Sequence, residues 1–501
     1  MTGRVTGGMT KAKLQPAIFV AGVVAVGVAL RAWVISSSLG AFNGDEAFAG
    51  LQSISVLRDG HLPVVINGQT YTAAIDAILF SPFLTLAGGS STILKWLFVC
   101  MWAAAAAATF GAMSRLRDRR SAALAAAIVW LTPGALLVLS TTAYMGYAIG
   151  MTVVACTVWA TAVVADQEVA TVRQSAILGA LAGLAFYIHP MFATVVVPVV
   201  AVAAFVHRRD WRRWWLPAAI AALVVNLPFL AWNAINDWPS LKSQAVPPGS
   251  YTDRFRGFIS ELLPRAFGLR KFDGGWVLAR PVALLIYAAI VAGVVYGCVV
   301  LVRAHQRPSR WIVPAGLAAC LPLMALAPHL IFINDGRYAI IPFPFFAFAL
   351  SAAATSLIPT WSRQRTMAAF AGALALWVAI TTLPFLNRQH AALADDPNAW
   401  QERVIDRLDE LGIDRLAGYY WFVMPIEYRS DREIRVAIAG NPYKIRFVQS
   451  QQIVESTPPE KVAFIFPPGE PDPNWLYLPI DSYRREDLGG MILFVPIAAG
   501  S

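Results

Sequence analysis

Long apolar runs with short polar interruptions fill the chain as far as about residue 387, and an ordinary mixture of polar and apolar positions follows. A helix that crosses a bilayer needs about 20 consecutive, mostly apolar residues. That rule marks eleven segments, at 16–36, 93–114, 121–141, 143–165, 175–188, 190–206, 214–233, 280–302, 311–330, 338–358 and 366–386. The fifth and sixth are short and meet at His189-Pro190, so they are either a tight hairpin or one broken element. The first run follows Arg4, Lys11 and Lys13 like a signal peptide, but it is about twenty residues long and lacks a small-x-small cleavage site, which reads as a retained span.

Three stretches between these segments carry most of the remaining information. In 37–92, Phe48, Leu51, Ile54 and Leu57 recur at helical spacing, which predicts a helix lying in the membrane interface. Residues 73–87 are apolar but short for a span, and they contain Asp76 and Pro82. The stretch 234–279 is rich in Pro, Gly and cations, and 331–337 is a short turn reading IFINDGR. Beyond 388 the pattern changes again. Residues 400–411 place Val404, Leu408 and Leu411 on one helical face, and RLAGYY (415–420), EIRVAIA (433–439) and KVAFIFP (461–467) read as short strands. The expected architecture is a polytopic α-helical membrane domain over 1–387, with about eleven transmembrane helices, and a small C-terminal α/β domain over 388–501.

Charge sharpens this picture. Charged residues make up 14% of the chain, about half the usual share of a soluble domain, and the deficit lies in the first part. From residue 388 onward there are 12 Lys and Arg against 17 Asp and Glu, which leaves 28 against 13 for the membrane part. The basic excess therefore belongs to loops on one membrane face and does not indicate a nucleic-acid partner. Its clusters are Arg115/Arg117/Arg119/Arg120, Arg208/Arg209/Arg212/Arg213, Arg303/Arg307/Arg310 and Arg363/Arg365. With the N-terminus cytoplasmic and 175–206 counted as a hairpin, all four fall on the cytoplasmic side, and the C-terminal domain is extracytoplasmic. The four cysteines sit inside apolar runs without paired spacing, which predicts neither disulfides nor a zinc site.

Ionisable groups beside apolar spans are costly, about 2.5–3.5 kcal/mol each, and so point to function. Here they gather at the outer ends of the segments: Asp45 and Glu46 after the first, Tyr144 and Tyr147 at the fourth, His189 at the fifth, and His329, Asp335 and Arg337 between the ninth and tenth. Each has a plainer reading. The Asp45-Glu46 pair suits the start of a helix, His189 before Pro suits a loop, Arg337 can reach lipid phosphate, and Asp76 can pair with a nearby cation. Arg31 and Lys95 read as interfacial anchors.

In combination, these residues resemble a known family. The segment GDEAFAGLQSISVLRDGHLPVVINGQTYTAAIDAILFSPFLTLAGG (44–89) resembles the first extracytoplasmic loop of GT-C membrane glycosyltransferases of the protein O-mannosyltransferase and lipid A aminoarabinose-transferase type, family 39/83-like. An Asp-Glu pair directly after the first span and a Gln-x-Tyr stretch leading to a juxtamembrane helix carry the likeness. AFYIHPMF (185–192), NLPFLAWNAINDWPSL (226–241) and GRYAIIPFPFFAFAL (336–350) follow in order, and the tail segment 408–437 is similar to the soluble domain of uncharacterised bacterial members.

The resemblance implies a transferase that moves a sugar from a polyprenyl-phosphate donor to an acceptor hydroxyl on a glycan, lipid or protein, with inversion. Asp45 is then the general base and Glu46 positions acceptor or loop. Arg337 is the leading ligand of the departing phosphate, with Lys271 or Arg270, His189, Tyr144 and Tyr338 around the substrate and Asp76 a further acid. In one respect the chain departs from the pattern: where the family often has a basic residue beside a Pro-Pro pair, this chain reads ILFSPF, so the phosphate cation has to come from elsewhere. No cofactor is expected and no metal cluster is visible, which leaves one ion shared by Asp45 and Asp335 as the arrangement still open. A flippase or transporter of lipid-linked glycans, and a membrane scaffold, are the competing classes. A transporter favours charges in the middle of spans, whereas here they sit at the ends.

Overall fold

The computed structural model describes residues 11–242, 249–327, 331, 336–358, 363–389, 396–440, 444–469 and 480–497. Apolar runs become helices because hydrocarbon offers no water to a backbone N–H or C=O, and a helix satisfies these groups within the segment. The membrane part runs α1 (Lys11–Ile35), α2 (Gly44–Arg58), α3 (Ile75–Leu86), α4 (Ser91–Leu116), α5 (Arg119–Trp130), α6 (Gly134–Leu139), α7 (Tyr147–Ala165), α8 (Val172–Ile188), α9 (Ala193–Val206), α10 (Leu216–Ile235), α11 (Tyr251–Gly257), α12 (Leu263–Ala266), α13 (Arg280–Ala304), α14 (Ile312–Ala325), α15 (Phe343–Ser356), α16 (Arg363–Thr381) and α17 (Leu383–Arg388). Six segments among the described residues are long and apolar enough to cross a bilayer: Ile18–Ile35, Ser91–Leu116, Tyr147–Ala165, Trp211–Ile235, Arg280–Ala304 and Arg365–Arg388. Their outward faces stay apolar, as on α10 (Ile220, Leu223, Val224, Leu227) and α13 (Leu284, Leu285, Val295). Such a belt suits lipid and marks a membrane protein.

Each of the eleven expected segments contains helix, but several are shorter or interrupted. The third is split into α5 and α6 at Thr132-Pro133, where the proline lacks an N–H and restricts the residue before it. The fourth starts at Tyr147, leaving 140–146 as a connecting loop. His189 adopts an extended backbone (φ −162°, ψ 125°) ahead of Pro190 and stops α8. A 3-10 turn, Pro190–Phe192, then leads into α9. Helix α8 packs on α10 and α9 on α14, while both also pack on α7, so they are two separate elements.

Two sequence expectations are corrected. The helix predicted to lie in the interface is α2, but eleven of its fifteen residues are buried. Phe48, Leu51 and Ile54 face a shared core, and only Leu57 of the predicted stripe is exposed. The reason is a covering layer: α2 is clamped between α3 and the C-terminal domain. Arg31 and Lys95 are not anchors either, since both are buried. One Arg31 guanidinium nitrogen donates to the Gly27 and Trp130 carbonyls at 3.1 and 3.0 Å, and the group stacks over the Trp130 ring at 4.1 Å. Lys95 pairs with Glu46.

The C-terminal part folds as α18 (Ala399–Glu410), β1 (Arg415–Gly418), α19 (Tyr420–Arg429), β2 (Arg435–Ile438), α20 (Val448–Glu455), β3 (Ala463–Phe466), β4 (Tyr483–Asp487) and β5 (Ile492–Pro496). The sheet order is β2-β1-β3-β5-β4. The first three strands are parallel, and β5 runs antiparallel to both β3 and β4. The three strands and one helix expected from sequence are present; α19, α20 and the β4–β5 hairpin are additions. Parallel strands need crossover connections, which α19 and α20 supply.

Helix α19 seats the domain on α2. Gly50 is what permits the close approach: a Cβ there would lie 2.2 Å from the Tyr428 ring. Gly50→Ala is therefore expected to destabilise the α2–α19 contact by about 1–3 kcal/mol, the usual range for overpacking. A lowered unfolding temperature of the detergent-solubilised variant checks this, and an unchanged one overturns it.

Candidate active site

The N-terminus of α2 assigns different tasks to adjacent carboxylates. Asn43 caps the helix, its side-chain oxygen accepting from the Asp45 and Glu46 backbone N–H groups at 3.0 and 3.2 Å. Glu46 completes the capping box by accepting from the Asn43 N–H at 3.2 Å. Its other oxygen accepts from Lys95 Nζ on α4 at 2.5 Å and from the Ala143 N–H at 3.3 Å. Burial pushes the Glu46 carboxyl up, against the opposing pull of Lys95 and these backbone donors. Glu46 thus ties α2 to α4 and to the loop before α7, and it does not line a cavity.

Asp45, one residue earlier, points the other way, into a cavity of about 830 Å³. Its carboxylate accepts from the Tyr420 hydroxyl at 2.8 Å. Its second oxygen lies 3.9 Å from Arg337. Burial, with the Asp45 carboxylate alongside, holds the Tyr420 hydroxyl well above the usual phenol range, so it stays protonated and donates. Arg337 lies over the Tyr144 ring at 5.0 Å and the Tyr338 ring at 5.9 Å. His189 Nδ1 accepts from the Met191 N–H at 3.1 Å, which puts the proton of the neutral ring on Nε2. Its ring meets Tyr71 edge-on at 5.2 Å and Tyr147 at 6.1 Å.

The cavity therefore brings together Asp45, Tyr144, His189, Arg337 and Tyr338. Glu46, Asp76 and Lys271 do not line it. Asp76 is buried and accepts from the Gly146 N–H, which shapes the loop carrying Tyr144 and Tyr147. Lys271 is held in a hairpin by Asp273 at 2.5 Å. Arg270 stacks on Trp276 in the same hairpin, and Phe272 is its residue that reaches the cavity. His329 and Asp335 lie outside the described residues. Among the described residues no three His, Cys, Asp or Glu side chains gather as metal ligands, and the cysteines are free.

Sequence reasoning took the Gln-x-Tyr stretch only as a mark of the resemblance, without placing Gln69 and Tyr71 at the site, and it missed Tyr420, Lys444 and Arg446 from the C-terminal domain. Lys444 lies 5.0 Å above the Tyr420 ring and Arg446 5.8 Å from it. The sequence signal for Tyr420 was the aromatic pair ending the first predicted strand, which the structure shows to open α19. Three cations and one acid therefore surround the cavity, whose lining also includes the apolar Leu39, Ala135, Val138 and Leu139. A phosphate attached to a long hydrocarbon suits that division.

No family model and no curated protein matches the chain. Solved structures do. ArnT from Cupriavidus metallidurans aligns at a TM-score of 0.61 in the apo state and 0.58 bound to undecaprenyl phosphate, at 12% identity. The apo alignment covers 96% of this chain and 98% of ArnT. The oligosaccharyltransferase AglB of Archaeoglobus fulgidus, in complex with an inhibitory peptide and a dolichol-phosphate, aligns at 0.51 and 12% identity, over 89% of this chain and 69% of AglB. Both are GT-C membrane proteins. The chain has the GT-C fold. At such low identity the likeness is one of fold, and it extends through the C-terminal domain, since nearly all of this chain aligns with ArnT. The loop between α1 and α4 folds back as α2 and α3, which pack on each other and, through α2, on α19.

Proposed function

We propose that the protein is a membrane glycosyltransferase that moves a sugar from a polyprenyl-phosphate carrier to an acceptor hydroxyl, inverting the anomeric centre. The observation that carries this reading is the placement of Asp45 beside Arg337 in a cavity that is also lined by apolar side chains. The GT-C likeness supports it, as do the lipid phosphates named for ArnT and AglB.

The acceptor oxygen attacks the anomeric carbon and passes its proton to Asp45. As that bond forms, the bond from the carbon to the phosphate oxygen breaks, and the lipid phosphate leaves with the electron pair. Arg337, a permanent cation, neutralises the charge that develops on it. At 3.9 Å the Asp45–Arg337 pair is loose, so an arriving phosphate competes for the guanidinium and frees the carboxylate for its role as base. Glu46 and Asp76 act as positioning residues, through Lys95 and the 143–146 backbone. On this reading the N-terminus is cytoplasmic and the cavity and C-terminal domain face outward, which places the four arginine clusters on the cytoplasmic side.

Incubating the full-length protein in lipid nanodiscs with a panel of radiolabelled polyprenyl-phosphate sugars and membrane-envelope acceptors tests the proposal. Label should move from carrier to acceptor, and transfer from no donor in the panel overturns the reading. Tyr420→Phe removes the donor to Asp45 without changing the ring. It is expected to lower kcat about tenfold with little change in the donor KM, since hydrogen bonds to charged groups contribute about 1.5–3 kcal/mol. A change confined to KM would show that Tyr420 binds substrate and does not orient the base.

A further inference from the structure

A second cavity of about 500 Å³ lies beside the first, between the 59–70 loop and the C-terminal domain. The two share a wall made by Ile66, Gly68, Gln69 and Arg446. Its lining is cationic: Arg432, Arg435 and Arg446 face it, and among the described residues Asp59 is the one carboxylate. Asp59 is paired with Arg432 at 3.2 Å. Glu427, buried behind the lining, lies 3.7 Å from Arg435 and accepts from the Ser450 hydroxyl at 2.5 Å.

Two further features point to an anion. Arg446 is nine-tenths buried, and one guanidinium nitrogen donates to the Gly68 carbonyl at 2.6 Å, yet its buried Nε has no partner among the described residues. That Nε lies out of reach of a ligand, but among the described residues no carboxylate pairs with Arg446, so its guanidinium leaves a positive charge at the cavity wall that favours an anion. Helix α20 also begins at this cavity. Val448, Gln449 and Ser450 line it, and Phe447 at the cap position provides no side-chain acceptor for the first-turn N–H groups. The positive end of the helix dipole is therefore added to the arginines.

We infer that the second cavity receives the acceptor, and that the acceptor carries a phosphate or carboxylate close to the hydroxyl that is glycosylated. This deepens the transferase reading and rests on it. The charged group sits between Arg435, Arg446 and the start of α20. Asn67, Gln69 and Thr70 offer hydrogen bonds to sugar hydroxyls, and the attacking hydroxyl passes the wall at Gly68 and Gln69 to meet Asp45.

The test uses full-length protein in phosphatidylcholine nanodiscs. Glucose 6-phosphate, glucuronate and glucose are titrated by saturation-transfer NMR, and undecaprenyl phosphate binding is measured separately. At least one anionic sugar should bind about tenfold more tightly than glucose, and comparing the two separates phosphate from carboxylate. Arg435→Gln should weaken that binding about tenfold. Gln449→Glu should do the same by repulsion. Its site is exposed, and an acid in the first turn suits the helix, so the fold is kept. Neither residue lines the first cavity, so undecaprenyl phosphate should bind both variants as it binds wild type. Equal binding of glucose and the anions, or wild-type anion affinity in both variants, overturns the inference. A protein that prefers anions but transfers no sugar overturns the transferase reading and with it the acceptor role. One that transfers sugar without any anion preference overturns the acceptor inference alone.

Discussion

Replacing Asp45 by Asn should lower kcat for sugar transfer by about 10²–10⁴-fold, the usual contribution of a general base, while polyprenyl-phosphate binding persists. Asn keeps the shape and still accepts from the Tyr420 hydroxyl, so the local fold survives, but it cannot take the acceptor proton. Removing the negative charge also releases Arg337 from its partner at 3.9 Å, so the lipid phosphate should bind at least as well as in wild type. Single-turnover transfer and lipid-phosphate binding, measured on the same preparation, check both halves. Transfer within about threefold of wild type would show that Asp45 is not the base. A matching loss of lipid-phosphate binding would place Asp45 in donor recognition instead.

The second large effect is on stability. Lys95→Met leaves Glu46 buried without its cation, and breaking one partner of a buried ion pair costs about 3–5 kcal/mol. Because Glu46 also holds the Asn43 and Ala143 backbone, the damage should reach the start of α2 and the loop carrying Tyr144. Adding Glu46→Gln to Lys95→Met removes the stranded charge and keeps an acceptor for one of those two N–H groups, since the amide nitrogen cannot accept, and should recover part of the loss. Thermal unfolding of both variants in detergent measures it. A single variant as stable as wild type, or a double variant no better than the single, would show that the pair does not hold the α2–α4 junction.

Much of the architecture was legible because it is written in short-range pattern. Hydropathy over about twenty residues located all eleven apolar segments, since the bilayer acts on each separately. Short apolar runs found β1, β2 and β3, whose residues are mostly buried, and the 3.6 period of 400–411 found α18. The edge strand β4 was missed because YRRED is almost wholly polar and exposed, with no buried face to show a period. Helix α19 was missed because its first residue, Tyr420, read with Tyr419 as the end of a strand, and Pro425 falls inside it.

At the site, five residues chosen for lying at the outer ends of segments do meet in one cavity, Asp45, Tyr144, Tyr147, His189 and Arg337, together with Tyr338, which the resemblance implied. Ionisable groups beside lipid are costly enough that their presence alone carries information. The division of labour within the Asp45-Glu46 pair was not legible. Adjacent helical residues point about 100° apart, so one faces the cavity and the other α4, and local sequence holds no sign of which.

By itself, then, the sequence determined that the chain crosses a membrane many times, carries a small α/β domain at its end, and keeps its reactive groups at the segment ends. Each of these follows from interactions within about twenty residues, where solvent and period act directly. Only the tertiary structure decided that Glu46 and Lys95 form a buried clamp, that Tyr420 reaches Asp45 from 375 residues away, and that Arg446 closes a wall between two cavities. Those contacts depend on how α2 packs against α4 and α19, and such packing is set by the complementarity of distant surfaces, which no local pattern encodes.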